Sequence, residues 1–132
     1  MNWRLLAPLA AIGPIMGTLM VMGAFPKGVD RFAWLMVMLA CAFVVARREG
    51  PRALPHAALV GFWNGASSTL IQALFVGRLL ANNPWIAESL ADQPKGFDVD
   101  YFVFMLVPFI GVAGGALTGL LAILFVRLLD SR

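Results

Sequence analysis

Residues 57–80 read AALVGFWNGASSTLIQALFVGRLL, and the fold turns on how this stretch is read. It is long enough to cross a hydrocarbon core, which takes about 20 residues of helix. Yet its middle carries Asn64, Ser67, Ser68, Thr69 and Gln72. On a helix of 3.6 residues per turn, Gly61, Asn64, Gly65, Ser68 and Gln72 fall on one face, spaced three and four apart. Leu59, Trp63, Ala66, Leu70 and Leu74 gather on the opposite side, suited to lipid. The polar residues are sorted into a stripe, so the stretch reads as a membrane helix with one polar and small face. Such a face either binds neighbouring helices through hydrogen bonds or lines a path for a solute.

The rest of the chain agrees with a lipid solvent. Of its 132 residues, 61% are hydrophobic and 13% charged, against about half and about a quarter in a soluble domain. Mean hydropathy is +0.84. The length allows four spans and no separate soluble part, so residues 1–132 are expected to form a single membrane domain. The fold class expected is all-α, an integral membrane four-helix bundle. Its transmembrane helices are predicted at about 5–25, 29–46, 57–80 and 101–129, with an outer loop at 82–100. The N-terminal segment is expected to be a retained first helix and not a cleaved signal. Its apolar part is long, it contains Pro8 and Pro14, and no small-x-small cleavage site follows.

The loops carry their own signals. FPKGVD, with Pro26 and Gly28, ends the first helix, and RREGPRALPH separates the second from the third. In the outer loop, Asn83 followed by Pro84 forms an N-cap and first-turn pair. Ile86 and Leu90 then share one face while Glu88 and Asp92 share another. This predicts a short amphipathic helix on the membrane surface between the third and fourth spans. Trp85 is its expected anchor at the headgroup level. Asp98 and Asp100 read as a solvated loop.

Glycine spacing extends the stripe to other helices. Gly111, Gly115 and Gly119 recur every fourth residue in the last helix, with Gly114, Thr118 and Ala122 on the same broad face. Gly13 and Gly17 do so in the first. Together with Gly61 and Gly65 these positions predict close packing of the first, third and fourth helices, because a missing side chain lets backbones approach. The second helix, without glycine, is expected at the periphery. Pro8 and Pro14 are expected to bend the first helix.

Several function classes are disfavoured. The net charge of +3 comes from Lys and Arg scattered over helix ends, so nucleic acid is not an expected partner. His56 is the sole histidine and Cys41 the sole cysteine. No metal-ligating cluster or nucleophile–base pair is legible, so no catalytic residue, metal or cofactor is expected, and the chain reads as a non-enzyme. No charged residue lies near the centre of any predicted span, which speaks against a proton-driven pump.

With the N-terminus inside, Arg4, Arg47, Arg48, Arg52, Arg127 and Arg132 lie on the inner side. Lys27, Arg31, Arg78 and Lys95 lie on the outer. This imbalance favours a bacterial-type inner membrane with both termini in the cytoplasm. The leading expectation is a small non-catalytic polytopic membrane protein. Its partners would be the lipid bilayer and either further copies of itself as a homo-oligomer or the other subunits of a larger membrane complex. The alternative is a passive channel or small-solute carrier lined by Asn64, Ser68 and Gln72 at an oligomer interface.

Overall fold

The computed structural model describes residues 1–131, and among these it is all-helical. Arg132, counted above with the inner-side cations, lies outside the described residues. The helices are α1 (Trp3–Ala10), α2 (Ile12–Val21), α3 (Val29–Glu49), α4 (Ala53–Leu74), α5 (Val76–Asn82), α6 (Pro84–Leu90) and α7 (Val99–Asp130). Three helical stretches are long and apolar enough to cross a membrane: Trp3–Val21, Val29–Leu74 and Val99–Asp130. No more than 33% of any of their most apolar windows is buried within the chain. Exposed apolar area on that scale needs an apolar surrounding, as expected of an integral membrane protein.

The first stretch is interrupted at Ala11, between α1 and α2. Pro14 has no N–H to offer the carbonyl of Ala10, so the helical ladder loses a rung there. The middle stretch of 46 residues would be about 69 Å long if straight. It is instead turned at Gly50, whose φ of 50° is open to glycine, followed by a short 3-10 turn over Gly50–Arg52. α3 and α4 then fold back and share a buried cluster that includes Ala42, Val45, Ala46, Ala53 and Ala57.

Sequence and structure part at two element ends. α4 leaves helical geometry at Phe75, with φ −121° and ψ 32°, and resumes as α5, which lets Leu79 bury against Met20 and Val21. Asp98, expected as solvated, is exposed and also caps α7: its carboxylate accepts a hydrogen bond of 3.1 Å from the Tyr101 N–H.

α4 is the central element, packed against α7, α2 and α3. Positions in contact run in opposite directions along α4 and α7, from Gly65 at Ile110 to Gly119 at Leu54. They run in the same direction along α2 and α4, with Gly13 at Asn64 and Gly17 at Ser68. One end of the molecule, the corner end, holds the α3–α4 turn and a small-residue core. There Ala42, Val45, Ala57 and Ala122 are fully buried, and Phe43 meets Phe125 edge-on at 5.5 Å. The opposite, loop end carries α5 and α6.

Candidate functional site: a cavity beside the polar stripe

The stripe on α4 is divided among three neighbours. Its glycine edge meets α7. A Cβ on Gly61 would fall against the Gly114 carbonyl and Thr118, and one on Gly65 would lie 2.7 Å from the Ile110 carbonyl oxygen. On the α7 side, a Cβ on Gly115 would come 2.8 Å from the Ala58 carbonyl oxygen. Gly111 and Gly119 are looser, with side-chain atoms of Phe62 and Leu54 at 3.0 Å.

The other edge meets α2. Gly13 lies so close that a Cβ would be 2.5 Å from the Asn64 Cα, and one on Gly17 would be 2.7 Å from the Ser68 carbonyl oxygen. Asn64 is 3% exposed. Its Oδ1 accepts a 2.8 Å hydrogen bond from the Gly13 N–H, just past the Ala11 interruption. Its Nδ2 has only the Cys41 sulfur, at 4.0 Å. Farther along, Gln72 Nε2 donates to Ser68 Oγ at 3.3 Å, a bond within α4 itself.

Between these edges the stripe faces open space. A cavity of about 500 Å³ lies at the loop end, walled by α3, α4 and α7. Asn64, Ser68, Thr69 and Gln72 supply the α4 wall, and Thr118 adds a hydroxyl from α7. The α3 wall consists of Asp30, Trp34, Val37, Met38 and Cys41, one helical face at spacings of three and four. From Asp30 to Cys41 this wall runs about 16 Å along α3 at roughly 1.5 Å per residue. α6 contributes Ile86, Ser89 and Leu90 to the loop-end side. Toward the corner end the way is closed by the alanine-rich core. The volume lies in the range of small-molecule sites, about 300–1,000 Å³, and so does its make-up of apolar walls with few polar groups.

Asp30 stands out in this wall. It sits in the first turn of α3, where a carboxylate suits the helix dipole. Its Oδ1 is nevertheless shielded from solvent without a hydrogen-bond partner. Among the described residues, no Lys or Arg nitrogen lies within salt-bridge distance of it.

α6 is held over the cavity by two asparagines. Asn83, placed by sequence as the N-cap of α6, makes no side-chain capping bond. Its buried Nδ2 instead donates to the carbonyls of Met20 and Leu79, each at 2.8 Å. Asn82 Nδ2 donates to the Val21 carbonyl at 2.9 Å. The last carbonyls of α2, which have no helical donor, are thereby tied to the loop. Trp85 is half-buried and packs against Met20, Val21 and Leu79.

His56 lies at the corner end, away from the cavity. Its Nδ1 donates to the Arg52 carbonyl at 2.8 Å, since a carbonyl only accepts. Its Nε2 takes a long 3.4 Å bond from the Asn2 N–H, and Asn2 Nδ2 donates to Glu49 at 2.8 Å. The group fastens the chain's start to the α3–α4 corner.

Of the residues singled out by sequence, Asn64, Ser68 and Gln72 share one wall, and Gly13, Gly17, Gly61 and Gly65 lie at close approaches within the chain. Sequence reasoning passed over Asp30, and it placed Asn83 only as a cap and Gly114 only within the small face of the last helix. The signal for Asp30 was present in the spacing of Asp30, Trp34, Val37 and Cys41, an inward face on a helix read as peripheral. Neither a family model, nor a curated protein, nor a solved structure matches this chain.

Proposed function

We propose that this chain is a non-catalytic, four-span membrane protein that holds a small solute in a cavity reached from one side of the bilayer. The observation that carries this reading is the cavity of about 500 Å³ along the polar stripe. It forms within one chain and needs no oligomer axis. The turn at Gly50 supports the reading of four spans, because α3 and α4, at 21 and 22 residues, each match the roughly 20 needed to cross. The alanine core below Cys41 and Gly61 makes the site one-sided, which favours a binding or carrier role over an open pore. In a carrier, α3 would have to swing about its alanine-lined half to open the other side. We keep both termini in the cytoplasm on the distribution of Lys and Arg, which puts the cavity on the outer face.

The glycine faces are all occupied inside the chain, by α2, α4 and α7. Self-association or an accessory role in a larger complex would therefore use the exposed apolar flanks instead. This second reading draws its support from the breadth of those flanks alone.

Cys41, the sole cysteine, lines the deep end of the cavity at 1% exposure. Met38→Cys, half-buried on the same wall, therefore supplies a second thiol, and the two report on access. In lipid nanodiscs, methyl methanethiosulfonate is expected to modify Cys41 in the folded protein. Ala113, on the α7 wall, is the place to fill the space: Ala113→Phe is expected to slow modification severalfold without lowering the melting temperature. Modification that ignores Ala113→Phe, or thiols at both Cys41 and Met38→Cys that react only on unfolding, would remove the solute-binding reading and leave the accessory one.

A further inference from the structure

We infer that the solute is an organic cation, an ammonium group on an apolar body, and that Asp30 receives its charge; this rests on the solute-binding reading above. Three observations converge on it. Asp30 lines the cavity, and its Oδ1 is shielded and unpartnered. Asp30 is half-buried, so the cost of burial falls on this one oxygen, and an incoming cation offsets it. Among the described residues no Lys or Arg nitrogen lies within salt-bridge distance of any carboxylate, and the one close approach is that of His56 Nε2 to Glu49, 3.7 Å, at the far end of the molecule. No described cationic side chain therefore competes for the position.

Trp34 supplies the second element. It lies one turn below Asp30 on the same wall, and an indole face attracts a cation, more strongly where water is excluded. A carboxylate and an indole four residues apart on one helix face can both contact a single ammonium group. The third element is what lies deeper. Beyond Trp34 the α3 and α7 walls are apolar, through Val37, Met38, Leu106 and Ile110, while the α4 wall offers Ser68 and Gln72. The site thus has a charged mouth, an apolar throat and a strip of neutral hydrogen-bonding groups on one side. An anion would meet Asp30 unfavourably at the entrance. A neutral solute would leave the carboxylate unpaired.

The test uses three compounds that share a phenyl ring and differ in charge: benzyltrimethylammonium, benzyl alcohol and benzoate. Each is added to the full-length protein in zwitterionic lipid nanodiscs, and the rate of Cys41 modification by methyl methanethiosulfonate is followed. Benzyltrimethylammonium is expected to protect Cys41 at concentrations about tenfold lower than benzyl alcohol, and benzoate is expected not to protect. Asp30→Asn should abolish the difference between cation and alcohol. Asp30→Glu, which keeps the charge, should preserve it and so exclude misfolding as the cause. Trp34→Leu should reduce the preference without erasing it. Equal protection by cation and alcohol in the native protein, or a preference that survives Asp30→Asn, overturns the assignment of a cation while leaving the cavity intact. If no reagent reaches either Cys41 or the thiol of Met38→Cys in the folded protein, both this inference and the solute-binding reading are overturned.

Discussion

α4 treats its neighbours in two ways. Toward α7 and α2 it lies backbone to backbone, with Gly61, Gly65, Gly13 and Gly17 at the crossings. Toward the first half of α3 it stands across a cavity. The difference lies in the facing side chains more than in α4 itself. α7 and α2 present glycine, whereas α3 presents Trp34, Val37 and Met38 at the loop end and then Cys41, Ala42, Val45 and Ala46 toward the corner. Where α3 turns small it joins the buried core; where it is large it stands off. In lipid there is little hydrophobic force to draw helices together, so close packing depends on how near the backbones can come. One helix can therefore be fixed at one end and lie open at the other.

The largest predicted effect tests the tight side. Gly61→Leu places a branched side chain against the Gly114 carbonyl and Thr118. Backbone cannot step aside as a rotamer can, so a loss of about 3 kcal/mol or more is expected, at the upper end for overpacking. A melt in detergent, followed by size-exclusion profile, should show loss of the monodisperse species. Ala113→Phe adds even more bulk next door on α7, but on the cavity wall, and should melt normally. If both variants collapse, or neither does, the contrast between a tight side and an open side is wrong.

Next in size is Asn83→Leu. Its side chain adds a second hydrogen bond to two carbonyls that also accept from the Gly23 and Asn83 N–H groups, and each such bond lost costs about 0.5–1.5 kcal/mol. The loss should be local to the fastening of α6. Hydrogen exchange ought to accelerate over residues 84–90 while the α4–α7 crossing stays protected. Asn64→Leu follows, removing the acceptor of the Gly13 N–H. Interhelical hydrogen bonds in membranes are worth roughly 0.6–2 kcal/mol, and exchange of the Gly13 amide is the direct readout.

Much of this was legible in the sequence because it depends on local periodicity. Composition gives the apolar helices, Gly50 and its neighbours mark the corner, and the three-and-four spacing of Gly61, Asn64, Gly65, Ser68 and Gln72 sorts them onto one face whatever they contact. Contact partners depend on how helices are arranged, and periodicity along one helix does not report that. Asp30 did not stand out at the start of a predicted helix, because its place on a cavity wall depends on α4, α6 and α7 lining the same space. Asn83 had the right identity for a cap, yet its amide donates to the carbonyls of Met20 in α2 and Leu79 in α5. The stripe was read as a single object, and only the arrangement of α2, α3 and α7 divides it into two seams and a wall.

That division is tested most finely by the smallest effect. Asn64 and Gln72 sit on the same stripe of α4, and sequence gives no reason to treat them differently. Asn64 is buried at a seam and bonds to another helix. Gln72 is half-buried on the cavity wall and bonds only within α4, at 3.3 Å. Gln72→Leu therefore breaks no tertiary contact and removes a polar group from an apolar surrounding. Its stability change is expected to stay within about 0.5 kcal/mol, the usual range away from core features. Its effect should appear instead in the cavity, as altered protection of Cys41 by neutral hydrogen-bonding solutes such as benzyl alcohol. A destabilisation equal to that of Asn64→Leu would mean that the whole stripe is packing surface, and the cavity wall would lose its polar function.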